Sequence, residues 1–343
     1  RKPVLGNLQY FCFDYFYGTV TKNVFAIKNQ EEFNSLALET FRFQANNCQA
    51  YQQFISYLRT DISKVNSISQ IPFLPIQFFK THQILSDPSP VVQTFLSSGT
   101  TGMQQSKHFV TDLSFYKESY TKGFEHFYGP LEDRVILALL PSYLEREGSS
   151  LVYMTADLIQ QSKHSESGFY LDNLDQLKET LLLLESKGKK SLLIGVSFAL
   201  LDLVEKHHFS LKHTLVMETG GMKGKRKEMV REELHALLKA GFGVAEIHSE
   251  YGMTELLSQA YSKGEGLFKT PPWMQVRIRD TEDPFQQLTH GKTGGINVID
   301  LSNRNSCSFI ATQDLGKHHP KGSFEILGRF DNSDIRGCNL MIT

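Results

Sequence analysis

Three short, unbroken apolar runs constrain this chain most: Val135-Ile136-Leu137-Ala138-Leu139-Leu140, Ser191-Leu192-Leu193-Ile194 and Thr214-Leu215-Val216-Met217. Runs of this length, bounded by polar residues, read as strands covered on both faces, the situation of strands in a parallel sheet. Helical patterns fill the intervals, for example Asp172–Lys187 and Lys225–Lys239. Strand–helix alternation of this kind predicts an α/β fold with a largely parallel sheet. From about Pro271 the texture changes to short strands and Gly/Asn/Asp turns, as in Val276-Arg277-Ile278-Arg279 and Gly294–Ile299, which predicts a β-rich subdomain. Upstream, Phe33, Leu36, Ala37, Thr40, Phe41 and Gln44 recur at helical spacing within 31–59. Ile71-Pro72-Phe73-Leu74-Pro75-Ile76 is too proline-rich for a central strand and reads as an extended, packed connector. Asp112 is placed to cap a helix running to about Gly123 or Tyr128. The expected organisation is a helical and extended region over 1–90, an α/β nucleotide-binding core over 91–270, and the β-rich part over 271–343.

The 343 residues, 40% of them hydrophobic, suffice for one large or two modest domains. A net charge of −1 gives no global basic field, so nucleic acid is not an expected partner and any anion site must be local. No apolar run reaches the length of a membrane span, and Arg1-Lys2-Pro3-Val4 lacks the apolar core of a signal peptide. Cys12, Cys48, Cys307 and Cys338 lie far apart without metal-type pairing, and free thiols in a reducing cytoplasm are the expected state.

The stretch Ser97-Ser98-Gly99-Thr100-Thr101-Gly102 follows an apolar β-type run and precedes His108-Phe109-Val110. Its backbone N–H groups and hydroxyls, with no bulky side chains among them, suit a polyphosphate. It is not a Walker A loop, which ends in Gly-Lys-Ser/Thr; a flexible Ser/Gly linker is the other reading. Gly195-Val196-Ser197-Phe198-Ala199 nearly matches the nucleophile elbow of hydrolases, with Asp314 and His318 or His319 in the right chain order. Ordinary turn and capping chemistry explains the same residues, and Ala199 stands where the last glycine belongs. Gly220 and Gly221 would let a ligand ring lie against the backbone. His248-Ser249-Glu250-Tyr251-Gly252-Met253-Thr254-Glu255 joins an aromatic ring, a hydroxyl and carboxylates. A carboxylate such as Glu255 acts on phosphates through Mg²⁺ or, alternatively, serves as a first-turn helix acid. Asp314 and Arg329, flanked by glycines, fit ribose contacts but are also common in turns.

Taken in order, these motifs resemble the adenylate-forming superfamily of acyl-CoA synthetases, whose large N-terminal domain stacks mixed sheets with flanking helices. The resemblance implies phosphate binding by Ser97, Ser98, Gly99, Thr100, Thr101 and Gly102, and adenine packing by Gly220, Gly221 and Tyr251-Gly252. It implies α-phosphate contact by Thr254, Mg²⁺ binding by Glu255, and ribose contacts by Asp314 and Arg329. Two departures stand out. The phosphate loop continues Met103-Gln104-Gln105-Ser106-Lys107 without the usual Pro-Lys, leaving Lys107 as the candidate lysine. The chain also stops at Thr343, where the small domain that carries the superfamily's adenylation lysine would follow.

One branch, the LuxE-type acyl-protein synthetases, resembles this chain nearly throughout, including Ile71–Lys80. That resemblance implies ATP-dependent activation of a carboxylic acid, a fatty acid in that branch, followed by acyl transfer to the protein's own thiol. By position that thiol is Cys338, with a reductase or acyltransferase as the next partner. His248 is a candidate for carbonyl polarisation or proton transfer. The alternatives are a ligase acting on CoA or a carrier protein with the lysine domain supplied in trans, and a non-catalytic nucleotide-binding scaffold.

Overall fold

Buried, β-branched and leucine-rich segments pair in the centre of the sheet, and the polar-capped helices cover them. The computed structural model describes residues 24–98, 104–141, 148–170, 173–220, 226 and 229–329. Gly99, Thr100, Thr101, Gly102, Gly221 and Cys338 therefore lie outside the described residues. The first helices lying wholly within the described residues are α1 (Gln30–Asn47) and α2 (Gln49–Tyr57). The periodic region expected over 31–59 is thus split at Cys48, whose extended backbone (ψ 104°) breaks the helix while its side chain is fully buried. Asn29 caps α1 by accepting from the Glu32 amide at 2.9 Å. Gln44, on the apolar face of α1, is buried and polar: its amide donates to the Arg304 carbonyl (2.8 Å) and accepts from the Ser308 amide (2.9 Å).

The proline-rich connector contains β1 (Leu74–Pro75) and leads into the one-turn helix α3 (Phe78–Thr81). The hairpin β2 (Gln93–Leu96) and β3 (Lys107–Val110) brackets the Ser/Gly loop. Next come α4 (Leu113–Tyr128), capped by Asp112 as the sequence predicts, then β4 (Val135–Leu139), α5 (Ser150–Ser162) and β5 (Gly168–Phe169). They are followed by α6 (Leu174–Ser186), β6 (Ser191–Val196), α7 (Ser197–Lys206) and β7 (Thr214–Thr219). The helix expected over 225–239 is α8 (Arg231–Phe242). Glu232 and Glu233 favour the positive N-terminal end there, and Gly243, left-handed at φ 66°, ends the helix. The remaining strands are β8 (His248–Tyr251), β9 (Ala260–Ser262), β10 (Phe268–Lys269), β11 (Met274–Arg279), β12 (Thr293–Asp300), β13 (Phe309–His318) and β14 (Phe324–Arg329).

Among the described residues, β2 and β3 stand apart and the other twelve strands form one hydrogen-bonded sheet in the order β11-β12-β13-β14-β10-β9-β8-β7-β6-β4-β5, with β1 added beside β13. β5, β4, β6, β7 and β8 are parallel; from β8 to β9 onward the neighbours are antiparallel, except that β1 runs parallel to β13. The position 270/271 falls between β10 and β11, yet β10 pairs with β14, so the sheet crosses it. Two apolar clusters flank this path. One gathers β4, β6, β7 and the helices of the α/β half; the other gathers α1, α2, the connector and β11 to β13. The site lies at the C-terminal ends of β7 and β8, where the two halves meet.

Candidate active site

A cavity of about 430 Å³ opens beside the ends of β7 and β8. Its walls bring together segments far apart in the chain: Ser97 and Ser98, Ser149 and Ser150 at the start of α5, Thr219 and Gly220, Gly252 to Glu255, Gln313 and Arg329. The two ends of the Ser/Gly loop are clasped. The Ser106 amide donates to Ser97 Oγ (2.9 Å), the Ser97 amide to the Ser106 carbonyl (3.1 Å), and Gln105 Nε2 to the Ser97 carbonyl (2.8 Å). These bonds hold the mouth of the loop against the cavity. The N-terminus of α5, capped by Ser149, adds backbone N–H groups with positive partial charge.

The segment after β8 is fixed by buried polar partners. His108, on β3, contacts the Thr254 carbonyl through Nδ1 (2.8 Å) and Asn303 Oδ1 through Nε2 (3.0 Å). Burial pushes His108 down to about 4, against the opposing pull of these two hydrogen bonds. Asn303 in turn donates to the Glu255 carbonyl (2.8 Å). Glu255 is 5% exposed, and desolvation raises its carboxyl above the ordinary range. A bound cation would offset that cost, and a single carboxylate plus phosphate oxygens is a fitting donor set for Mg²⁺. Among the described residues no group of three or more His, Cys, Asp or Glu side chains gathers to hold a metal ion, here or elsewhere.

Asp314 and Arg329 lie directly opposite each other on β13 and β14. Arg329 Nε approaches Asp314 Oδ1 at 3.3 Å, and the Tyr251 hydroxyl donates to Asp314 Oδ2 at 2.7 Å. The sequence therefore named three residues that meet. The ring of Tyr251 packs on Phe268 and Phe324 at centroid distances of 6.1 and 6.2 Å. Gly220 has φ 66°, a left-handed conformation that favours glycine. At Gly252 a Cβ would meet Glu250 Oε1 at 2.5 Å, so any larger residue there requires the buried carboxylate to shift.

Four described candidates do not line the cavity: Tyr251 and Asp314, which lie beside it next to Gly252 and Arg329, and Lys107 and His248. Lys107 is exposed on β3 and does not line the cavity. His248 is at the start of β8, bonded to the Tyr128 hydroxyl (3.2 Å) and held down to about 4, mainly by burial; it also does not line the cavity. The hydrolase constellation is not assembled. Ser197 donates to the Gly220 carbonyl (3.1 Å), His318 contacts the Val276 carbonyl (2.8 Å), and His319 faces Glu325 (3.1 Å).

Sequence reasoning missed Glu250 and Lys80 as cavity residues. Glu250 is 9% exposed, accepts from the Thr219 hydroxyl, and is pushed up to about 7 by burial, with Glu218 nearby adding to the shift. The signal for Glu250 was its position one residue before Tyr251; for Lys80 it was the end of the proline-rich connector.

This sheet and the placement of these motifs define the fold of the large domain of adenylate-forming enzymes. Among solved structures, the chain is similar to ATP-bound MatB from Rhodopseudomonas palustris, with 20% identity over 71% of this chain and 49% of that one and a TM-score of 0.53. It is also similar to an open conformation of 2-hydroxyisobutyryl-CoA ligase in complex with 2-HIB-AMP and CoA, with 11% identity over 89% and 72% of the two chains and a TM-score of 0.64. A third is McyG A-PCP complexed with phenylalanyl-adenylate, with 18% identity over 81% and 54% and a TM-score of 0.51. The chain spans about half the length of the first of these. No curated protein matches it. Residues 23–343 match the family described as acyl-protein synthetase, LuxE, and the chain belongs to that family.

Proposed function

We propose that the cavity binds ATP and activates a carboxylic acid, a fatty acid by family resemblance, as its acyl adenylate, and that the acyl group then passes to a thiol. The observation that carries this reading is the meeting, in one cavity, of the clasped ends of the Ser/Gly loop, Thr254, Glu255 and the Arg329 end of the Asp314 pair. Ser97, Ser98 and the α5 N-terminus present donors to phosphates, and Thr254 offers a hydroxyl beside them. Glu255 would hold Mg²⁺, which neutralises charge on the phosphate oxygens when bound. Asp314, held by Tyr251 and Arg329, would accept from ribose hydroxyls. The enzyme's contribution to the first step is alignment of the acid carboxylate with the α-phosphorus and stabilisation of the departing pyrophosphate. In the second step a thiolate attacks the mixed anhydride, AMP leaves, and a thioester forms.

Cys338 is the proposed thiol, and a reductase or acyltransferase the proposed recipient. The ligases among the structural neighbours favour CoA as the competing acceptor, by the printed name of 2-hydroxyisobutyryl-CoA ligase. The test is intact mass after incubation with ATP, Mg²⁺ and a panel of acids, for wild type and Cys338→Ser. An acyl-sized gain that needs ATP and is absent from Cys338→Ser supports self-acylation. No gain, with acid-dependent AMP release only when CoA or a carrier protein is added, sinks self-acylation in favour of the ligase.

A further inference from the structure

Among the described residues, the cavity's phosphate side carries little positive charge. Among the described residues its charged lining consists of Lys80, Arg329, Glu250 and Glu255. Arg329 is already paired with Asp314, and Lys107, the nearest lysine in sequence to the Ser/Gly loop, is exposed outside the cavity. A triphosphate placed between two carboxylates, even with a divalent ion on one of them, needs a further cation.

We propose that Lys80 is that cation: its ammonium group binds the polyphosphate of the nucleotide, in place of the lysine missing from the phosphate loop. The proposal rests on the nucleotide reading above. Among the described residues the ammonium group has no hydrogen-bond or ion-pair partner, although Lys80 is half-buried and lines the cavity with Ser97 and Ser98. Its backbone is fixed from two sides. Gln104 Nε2, on the exit arm of the Ser/Gly loop, donates to the Lys80 carbonyl at 2.6 Å. Phe79 is fully buried, and its ring meets His108 edge-on at 5.8 Å, the same histidine that holds the Thr254 carbonyl. The strand before it is added to the sheet, with Leu74 opposite Ile310 and the Ile76 amide donating to the Ala311 carbonyl (3.0 Å). These contacts tie Lys80 to the loop, to Thr254 and to the strand that carries Asp314, leaving only its flexible stem to adjust to a ligand.

The test is equilibrium binding of Mg·ATP and of adenosine to wild type, Lys80→Met, Lys80→Gln, Lys80→Arg and Lys107→Ala. Both neutral Lys80 variants should weaken ATP binding by about tenfold to a hundredfold, the range expected for a charge-assisted hydrogen bond. Adenosine binding should stay within about twofold, and Lys80→Arg should retain most of the ATP affinity. ATP affinity unchanged in both neutral variants, or an equal loss for adenosine, overturns the assignment; so does a loss confined to Lys107→Ala. Wild type that binds adenosine and ATP equally well overturns the phosphate role, and wild type that binds neither overturns the nucleotide reading along with it.

Discussion

Two buried residues at the site give opposite pH signatures. His108 has its folded pKa depressed to about 4, so below about 6.5 the unfolded chain binds a proton that the folded chain does not. Its contribution to stability is present above that value and is lost as pH falls through about 4, by on the order of 3 kcal/mol. Glu250 has its folded pKa raised to about 7; its contribution is fully present below about 4.5 and is lost as pH rises through about 7. Denaturation midpoints measured from pH 4 to 8 should therefore show Glu250→Gln losing less stability than wild type on going from pH 5 to 7.5. Parallel curves for the two proteins would contradict the buried, protonated state of Glu250. Gly252→Ala places a methyl group against the Glu250 carboxylate, 2.5 Å from Oε1. It should cost roughly 1–3 kcal/mol and depress ATP binding. Combining it with Glu250→Ala should recover part of the loss; additive losses in a double-mutant cycle would show that the two do not meet.

At the scale of elements, the site depends on the segment after β8 being held still. Asp300, fully buried at the end of β12, accepts from the Leu257 amide (2.8 Å), the Ser258 amide (2.9 Å) and the hydroxyls of Ser258 and Ser302 (2.6 Å each). Removing its carboxylate leaves several buried donors without an acceptor. Asp300→Ala should lose on the order of 3 kcal/mol or more of stability in denaturant titrations, and a loss under about 1 kcal/mol would mean water or repacking satisfies them. The elements that local sequence could reveal were those with local causes. Asp112 caps its helix, and the apolar runs at 135, 191 and 214 became central strands because both their faces are covered. The start of α8 was misplaced because the lysine-rich approach carries no capping residue, and only Glu232, Glu233 and Gly243 mark its ends. Lys80 and Glu250 were not legible as site residues. One reaches the cavity through pairing between positions 74 and 310; the other is placed by the register of β7 and β8, with Thr219 opposite Glu250. Asp314 and Arg329 were legible separately, but their meeting is a property of the β13–β14 ladder.

For the whole molecule, one sheet joins a parallel half that carries the loops of the proposed nucleotide site to a mainly antiparallel half that carries the Asp314–Arg329 pair. The cavity is built where they join, so both halves must be in place for it to exist. Among the described residues no helix is long and apolar enough to cross a membrane. The most direct test of acid activation in this cavity is exchange of labelled pyrophosphate into ATP, with a panel of carboxylic acids, in wild type and Glu255→Gln. Wild type should show exchange that requires an acid. Glu255→Gln should reduce it by roughly a hundredfold or more, as expected when a charge-stabilising group is removed from the transition state. ATP binding without acid-dependent exchange for any acid, or equal exchange by Glu255→Gln, would contradict that activity.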